Sequence, residues 1–191
     1  MEANVVRVGL LGCGTVGASL VQLIAEHGDT IAARSGARLE VVRVAVHDLS
    51  KPRAVTLADG VLTDDPGSLV IDSDVDVVVE LMGGLDPAYR LIRTALEGGK
   101  PVVTANKEVV ARSGAELVQV AAKAGVDLLY EAAVAGAIPL LRPLRESLAG
   151  DRLQRVMGIV NGTTNFILTR MSDTGASFAQ ALGEAEGLGY T

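Results

Sequence analysis

An α/β fold built on a doubly wound, mostly parallel sheet is predicted by three features of the 191-residue sequence. Apolar runs of strand length alternate with runs of helical periodicity. Hydrophobic residues make up 49% of the chain but aromatics only 3%, so the core must be packed from Val, Leu, Ile and Ala. That suits a sheet buried on both faces by helices. The first apolar run also leads directly into a glycine-patterned turn that opens a helix.

The elements follow in order. Residues 5–11, Val5-Val6-Arg7-Val8-Gly9-Leu10-Leu11, read as a buried strand, and Gly12-Cys13-Gly14-Thr15-Val16-Gly17 is a Gly-x-Gly-x-x-Gly turn. Gly12 permits the tight turn, Gly14 lets the backbone approach a pyrophosphate, and Gly17 lets the next helix pack closely. The helix that starts there aims its free N–H groups and positive dipole end at the phosphates. Further strands are expected at 39–46, 75–81, 101–104 and 126–130, with helices at 16–34, 66–71, 87–97 and 114–124. This rhythm predicts a Rossmann-type sheet with right-handed crossovers. After Glu131 the texture changes to small residues. A helix is expected at 140–148, a strand at 153–160, a polar turn at 161–165, and helices at 166–171 and 177–188. The expected organisation is a nucleotide-binding domain, 1–131, then a hinge and the incomplete start of an α+β domain, 132–191.

A net charge of −6 without a basic run argues against nucleic acid or an anionic membrane as partner. The one cysteine, Cys13, rules out an intramolecular disulfide. No signal peptide and no apolar run of transmembrane length is found, which makes a cytoplasmic protein the default.

A nicotinamide enzyme acting on an alcohol or carbonyl needs a proton donor or acceptor near the transferred hydride. His27 and His47 both fall in the first half, at a helix end and a strand end. None of Tyr89, Tyr130 and Tyr190 has a lysine four positions on, so a Tyr-x-x-x-Lys couple is absent. Of the four lysines, only Lys107 follows the carboxyl end of an expected strand, where open α/β sheets bind ligands. Its ammonium could hold a substrate oxygen or exchange a proton; the alternative is a solvated lysine at a helix start. Glu80 and Glu131 also sit at strand ends. Glu131 with the carbonyls of the small-residue loop that follows offers oxygen ligands for a hard cation, and the alternative is a capping or hinge carboxylate.

Taken together, Gly12–Gly17, Thr104-Ala105-Asn106-Lys107, the stretch Tyr130-Glu131-Ala132-Ala133-Val134-Ala135-Gly136-Ala137-Ile138-Pro139 and the run 158–168 (GIVNGTTNFIL) strongly resemble homoserine dehydrogenase over essentially the whole chain. The resemblance implies NAD(P)-dependent interconversion of aspartate 4-semialdehyde and homoserine, a step toward threonine and methionine, in a homodimer. It implies that Thr15 and Val16 contact the dinucleotide and that Lys107 stands beside the nicotinamide and the reacting oxygen, with Thr104 just before it. It implies a monovalent cation, sodium, held by Glu131 and the backbone of Val134, Gly136 and Ile138. Asn161, Gly162, Thr163 and Thr164 would line the substrate pocket, with Glu131 at its edge.

The sequence departs from the family at its end. The acidic residues, aspartate and second lysine that follow in homoserine dehydrogenases would lie beyond Thr191. A fragment of a longer enzyme is therefore expected, the alternative being a short, non-catalytic NAD(P)-binding module or regulator. Cofactor choice rests on His47-Asp48-Leu49-Ser50-Lys51-Pro52-Arg53. Lys51 and Arg53 could meet a 2′-phosphate, favouring NADP, whereas Asp48 could bond the ribose hydroxyls of NAD.

Overall fold

The structure is a computed structural model that describes residues 4–136, 138–159 and 161–189. The chain divides into two compact units, Met1–Ala133 and Val134–Thr191.

The first unit carries a six-stranded parallel sheet in the order β3-β2-β1-β4-β5-β6. The strands are β1 Asn4–Leu11, β2 Ala37–Ala45, β3 Leu62–Thr63, β4 Val77–Glu80, β5 Val102–Thr104 and β6 Leu128–Leu129. The helices between them are α1 Thr15–Ser35, α2 Pro66–Ile71, α3 Ala88–Glu97 and α4 Lys107–Ala124. Successive strand side chains point to opposite faces, and each face here has its own apolar layer. Val8, Leu10, Val44 and Val79 pack with Val21 of α1. Leu11, Ala45, Val78 and Val102 pack with Leu69, Ile92, Leu96 and Leu117 of α2, α3 and α4. Burial on both sides explains the apolar runs 8–11 and 77–79, whereas β2 exposes Arg38, Glu40 and Arg43.

The strand order reverses direction between β1 and β4, and a crevice opens there at the carboxyl ends of the strands. At the opposite, amino edge, Asp76 lies just before β4 and accepts from the Arg7 guanidinium (Nε at 3.0 Å, Nη2 at 2.8 Å) and from the Arg7 amide at 2.8 Å. Lys100 Nζ donates to the carbonyls of Asp72 and Val75 at 2.7 and 2.6 Å. Arg7 and Lys100 thus fasten the end of the sheet opposite the crevice.

The second unit, among its described residues, ends in a helix pair, α5 Gly162–Thr174 and α6 Phe178–Gly187. Ile167, Ala181 and Ala185 are buried between them against Phe166, Met171 and Leu182, and Arg170 Nε meets Glu184 Oε2 at 2.7 Å. Ser177 caps α6 in a reciprocal capping box with Gln180.

Four expectations need correction. The segment 161–165 is not a polar turn: Asn161 caps α5, its side chain accepting from Thr164 N at 2.8 Å, and Gly162 to Asn165 are its first helical residues. The expected helix at 140–148 forms over 141–147, but after Leu141 and Arg142 it continues as a π-helical stretch, Pro143–Ser147. Pro143 has no N–H to donate into a regular helix, and its carbonyl accepts from Leu148 five residues on at 3.0 Å. No strand forms over 153–159, and Val160 lies outside the described residues; a strand needs a neighbour for its N–H and C=O groups, and no described residue of this unit supplies one. Finally, α4 begins at Lys107 rather than 114, because Asn106 caps it by accepting from Val109 N at 3.1 Å.

Candidate nucleotide cleft and its surroundings

The glycine turn forms the floor of the crevice at the switch point. Gly12 has a positive φ of 96°, and a Cβ there would lie 3.0 Å from the Leu81 carbonyl oxygen. At Gly17 an added Cβ would come within van der Waals overlap of the Gly12 carbonyl oxygen. Both glycines are thus required by the protein's own packing. Gly14 differs: nothing lies within 4 Å of where its Cβ would be. The turn is tight on its inner side and open on its outer one, which is the shape a pyrophosphate lying on the backbone needs.

The cleft above the turn has a volume of about 1170 Å³, enough for a dinucleotide-sized ligand. It brings together Gly12, Gly14, Thr15, His47, Lys51 and Arg53 of the sequence-predicted residues, with Asp48 beside them. Val16 and Gly17 are not on its lining, nor are Thr104 and Lys107. Val16 is exposed on the first turn of α1 and Gly17 is buried beneath the floor.

Residues 48–53 form a self-bonded loop after β2. Asp48 Oδ1 accepts from the Ser50 hydroxyl at 2.6 Å and the Ser50 amide at 2.8 Å, and these bonds hold its carboxyl below the usual carboxylate range. The Arg53 guanidinium bends back onto the loop, donating to the carbonyl oxygens of Lys51 at 2.8 Å and Leu49 at 3.3 Å and to that of Asp48. No carboxylate meets it at salt-bridge distance among the described residues. Its positive charge therefore remains available on the cleft wall. Cys13, half-buried in the turn, has its thiol pushed up by burial, with Arg53 opposing the shift; it is kept in the unreactive thiol form.

Beyond the cleft, Lys107 is the first residue of α4 and is exposed. Thr104 is buried at the end of β5, and its hydroxyl donates to Glu80 Oε2 at 2.6 Å. Glu131 opens a single 3-10 turn, Glu131–Ala133. Among the residues that follow, Ala135 and Gly136 adopt positive φ of 62° and 57°, and the Ile138 amide returns to the Ala135 carbonyl at 3.3 Å. Val134, Gly136 and Ile138 thus belong to a tightly turned segment; Ala137 lies outside the described residues. Asn161, Gly162, Thr163 and Thr164 form the capped start of α5 in the second unit.

Two structural participants, Glu80 and Asn106, have a role in the fold that the sequence did not disclose. Glu80 is wholly buried and accepts from Met82 N at 2.8 Å, Gly83 N at 3.3 Å, the Thr104 hydroxyl and Asn106 Nδ2 at 3.4 Å. Asn106 Nδ2 also donates to the Gly84 carbonyl at 2.6 Å. Met82 and Gly83 are neighbours of Glu80 in sequence, but Thr104 and Asn106 are more than twenty residues from Glu80 and Gly84, so the link between the two segments is revealed only by the three-dimensional fold.

The chain matches a family model described as homoserine dehydrogenase, NAD binding domain, over residues 12–131, and one described as homoserine dehydrogenase over 139–191. It is 54% identical to a homoserine dehydrogenase of Corynebacterium glutamicum over 98% of this chain and 42% of that protein. It is 51% identical to one of Mycobacterium tuberculosis over 97% of this chain and 42% of that protein. The crystal structure of a homoserine dehydrogenase from Thiobacillus denitrificans superposes with a TM-score of 0.86 at 46% identity, covering 98% of this chain and 43% of that one. A hyperthermophilic archaeal homoserine dehydrogenase in complex with NADPH is similar at a TM-score of 0.78 and 29% identity, over 97% and 62% of the two chains. The chain thus spans less than half the length of the curated relatives it matches.

Proposed function

The chain belongs to the homoserine dehydrogenase family, and from that premise we propose that it provides the nucleotide-binding part of an oxidoreductase interconverting L-aspartate 4-semialdehyde and L-homoserine. The observation that carries the reading is the cleft at the β1–β4 switch point, floored by a glycine turn whose outer side is open at Gly14. The pyrophosphate would lie over Gly14 and Thr15, at the N-terminus of α1. Of the two nicotinamide dinucleotides, NADP(H) is favoured, because Lys51 and Arg53 bring two cations to the wall on which Asp48 is already engaged by Ser50.

The nicotinamide would supply or accept the hydride, and the alcohol oxygen must lose or gain a proton. Lys107 is our candidate for that oxygen: at the head of α4, beyond the carboxyl end of β5, its ammonium can hold the oxygen and pass the proton. Asn161, Gly162, Thr163 and Thr164 are assigned to the substrate pocket with Glu131. Glu131 and the carbonyls of Val134, Gly136 and Ile138 are assigned to a sodium ion, as an all-oxygen donor set suited to a hard cation. A homodimer in the cytoplasm, serving threonine and methionine synthesis, completes the reading. No helix among the described residues is long and apolar enough to cross a membrane.

The test is a fluorescence titration of the chain with NADPH and NADH. Saturable binding is expected, with Gly14→Val lowering affinity at least tenfold, roughly, because a branched side chain would occupy the pyrophosphate's place. Equal binding by Gly14→Val would overturn the seat. For the chemistry, Lys107→Ala is introduced into a polypeptide joining this chain to the remaining length of its relatives. A fall in kcat of about 10²-fold or more is expected; unaltered turnover would remove Lys107 from the reaction.

A further inference from the structure

Glu80 is a buried carboxylate that the proposed chemistry does not use. It ends β4 beside the switch point and is wholly shielded from water. Burying a carboxylate is costly unless donors satisfy it. Here two backbone amides, a hydroxyl and a side-chain amide do so, and no cation stands at salt-bridge distance among the described residues. The donors come from two places. Met82 and Gly83 belong to the loop after β4, whereas Thr104 and Asn106 belong to the end of β5 and the cap of α4.

Each side leads somewhere specific. Met82 lines the cleft, and its Cα is one of the atoms a Cβ on Gly12 would meet, at 3.2 Å. Gly83 and Gly84 have positive φ of 77° and 71°, so the loop needs outside support to hold one shape. On the other side, Asn106 accepts from Val109 N through Oδ1 while its Nδ2 reaches Glu80 and the Gly84 carbonyl. The next residue is Lys107. One carboxylate therefore stands between the wall of the nucleotide cleft and the residue from which α4 starts.

We propose that Glu80 is a positioning residue that locks the Met82–Gly84 loop to the Asn106–Lys107 turn, so that the nucleotide seat and the Lys107 ammonium are held in a single frame. The role rests on the nucleotide reading of the cleft for its consequence in binding, but the mechanical coupling does not. A carboxylate suits the task because it only accepts, and all four groups facing it only need to donate. A leucine in its place fills a similar volume but accepts nothing, so the loop amides on one side and Thr104 with Asn106 on the other would lose their shared partner and the lock would open.

The test uses the whole chain with Glu80→Leu and Asn106→Ser; serine still caps α4 but cannot reach the loop. Asp76→Asn, at the opposite edge of the sheet, serves as a control that weakens the fold without touching the lock. NADPH affinity by fluorescence, melting temperature and amide hydrogen exchange are measured for each. Both lock variants should weaken NADPH about fivefold, and Asn106→Ser should speed exchange at Met82 and Gly83, amides that Asn106 does not itself bond. Asp76→Asn should lower the melting temperature with affinity unchanged. If the lock variants lose stability yet bind NADPH as the unaltered chain does, and Met82 and Gly83 exchange at their original rates, Glu80 is a local brace and the proposal fails. If the unaltered chain binds no NADPH, the cleft reading falls by itself. Exchange at Met82 and Gly83 in Asn106→Ser then decides the coupling: faster exchange sustains it, and unchanged exchange overturns it.

Discussion

The three glycines of the first turn answer to different forces. At Gly17 a methyl group would press into the Gly12 carbonyl, and neither the helix start nor the turn can yield without breaking the α1 packing. Gly17→Ala should destabilise the chain by about 2–3 kcal/mol, as overpacking against backbone does, read as a lower urea midpoint at constant m. Gly14→Ser should leave that midpoint within about 0.5 kcal/mol of the original, since its Cβ would meet nothing within 4 Å and serine caps α1 at least as well as glycine. Along the same wall, Lys51→Ala with Arg53→Ala should weaken NADPH by about 1–3 kcal/mol and NADH far less, because a 2′-phosphate makes charge-assisted bonds that a hydroxyl does not. Parallel titrations of the two nucleotides measure it, and an unchanged preference would mean those charges are merely solvated. Which residues would share a wall was legible here to the extent that contiguous sequence supplies them, as it does for Gly12–Thr15 and His47–Arg53. Glu80 could be noticed as a strand-end acid, but its role could not be read, because its partners are fixed only when β4 and β5 lie side by side.

Elements were legible where burial alone decides them. The runs 8–11 in β1 and 77–79 in β4 are apolar without interruption because both faces are covered there, whereas β2 carries Arg38, Glu40 and Arg43 and was legible from Val41, Val42, Val44 and Ala45. Edges were not. The two-residue β3 is too short to leave a pattern, and Ser113 and Gly114 inside α4 mimic a break that the Asn106 cap overrides. Capping also turned the 161–165 segment into helix, so Asn161→Ala should cost about 1 kcal/mol and fray α5, seen as loss of helical signal by NMR confined to its first turn. At the amino edge of the sheet, the Arg7 guanidinium beside Asp76 holds that carboxyl down from its ordinary 3.8 to about 2. A depressed folded value stabilises above the unfolded value and is lost as pH falls toward the folded one. The chain should therefore lose stability between about pH 4 and pH 2, by about 1 kcal/mol for this pair once its 38% exposure on both sides is allowed for. Asp76→Asn should be less stable near neutrality and flatter across that window in melting temperature against pH.

On the scale of the molecule, the chain comprises two compact units, and every residue lining the cleft belongs to the first. Both apolar layers of the sheet are likewise drawn from it. A polypeptide ending at Ala133 should then bind NADPH within about threefold of the full chain by calorimetry, as a unit with its own core can. A much larger loss would show that residues after 133 contribute to the seat. The second unit was the less legible half for a physical reason: a strand or a polar turn is recognised by what pairs with it, and 153–165 has no paired strand among the described residues to declare its state.

Gly14 has a consequence for descent as well as for binding. Packing gives no reason to keep glycine there, where other capping residues such as serine or asparagine would also fit, whereas it guards Gly12 and Gly17. In a lineage that ceased to use the nucleotide, drift would enter the turn at Gly14 first and leave its neighbours standing. A library of turn variants sorted only for folded protein should fill position 14 with other residues while keeping glycine at 12 and 17. The turn would then record, position by position, which demand is made by the ligand and which by the chain itself.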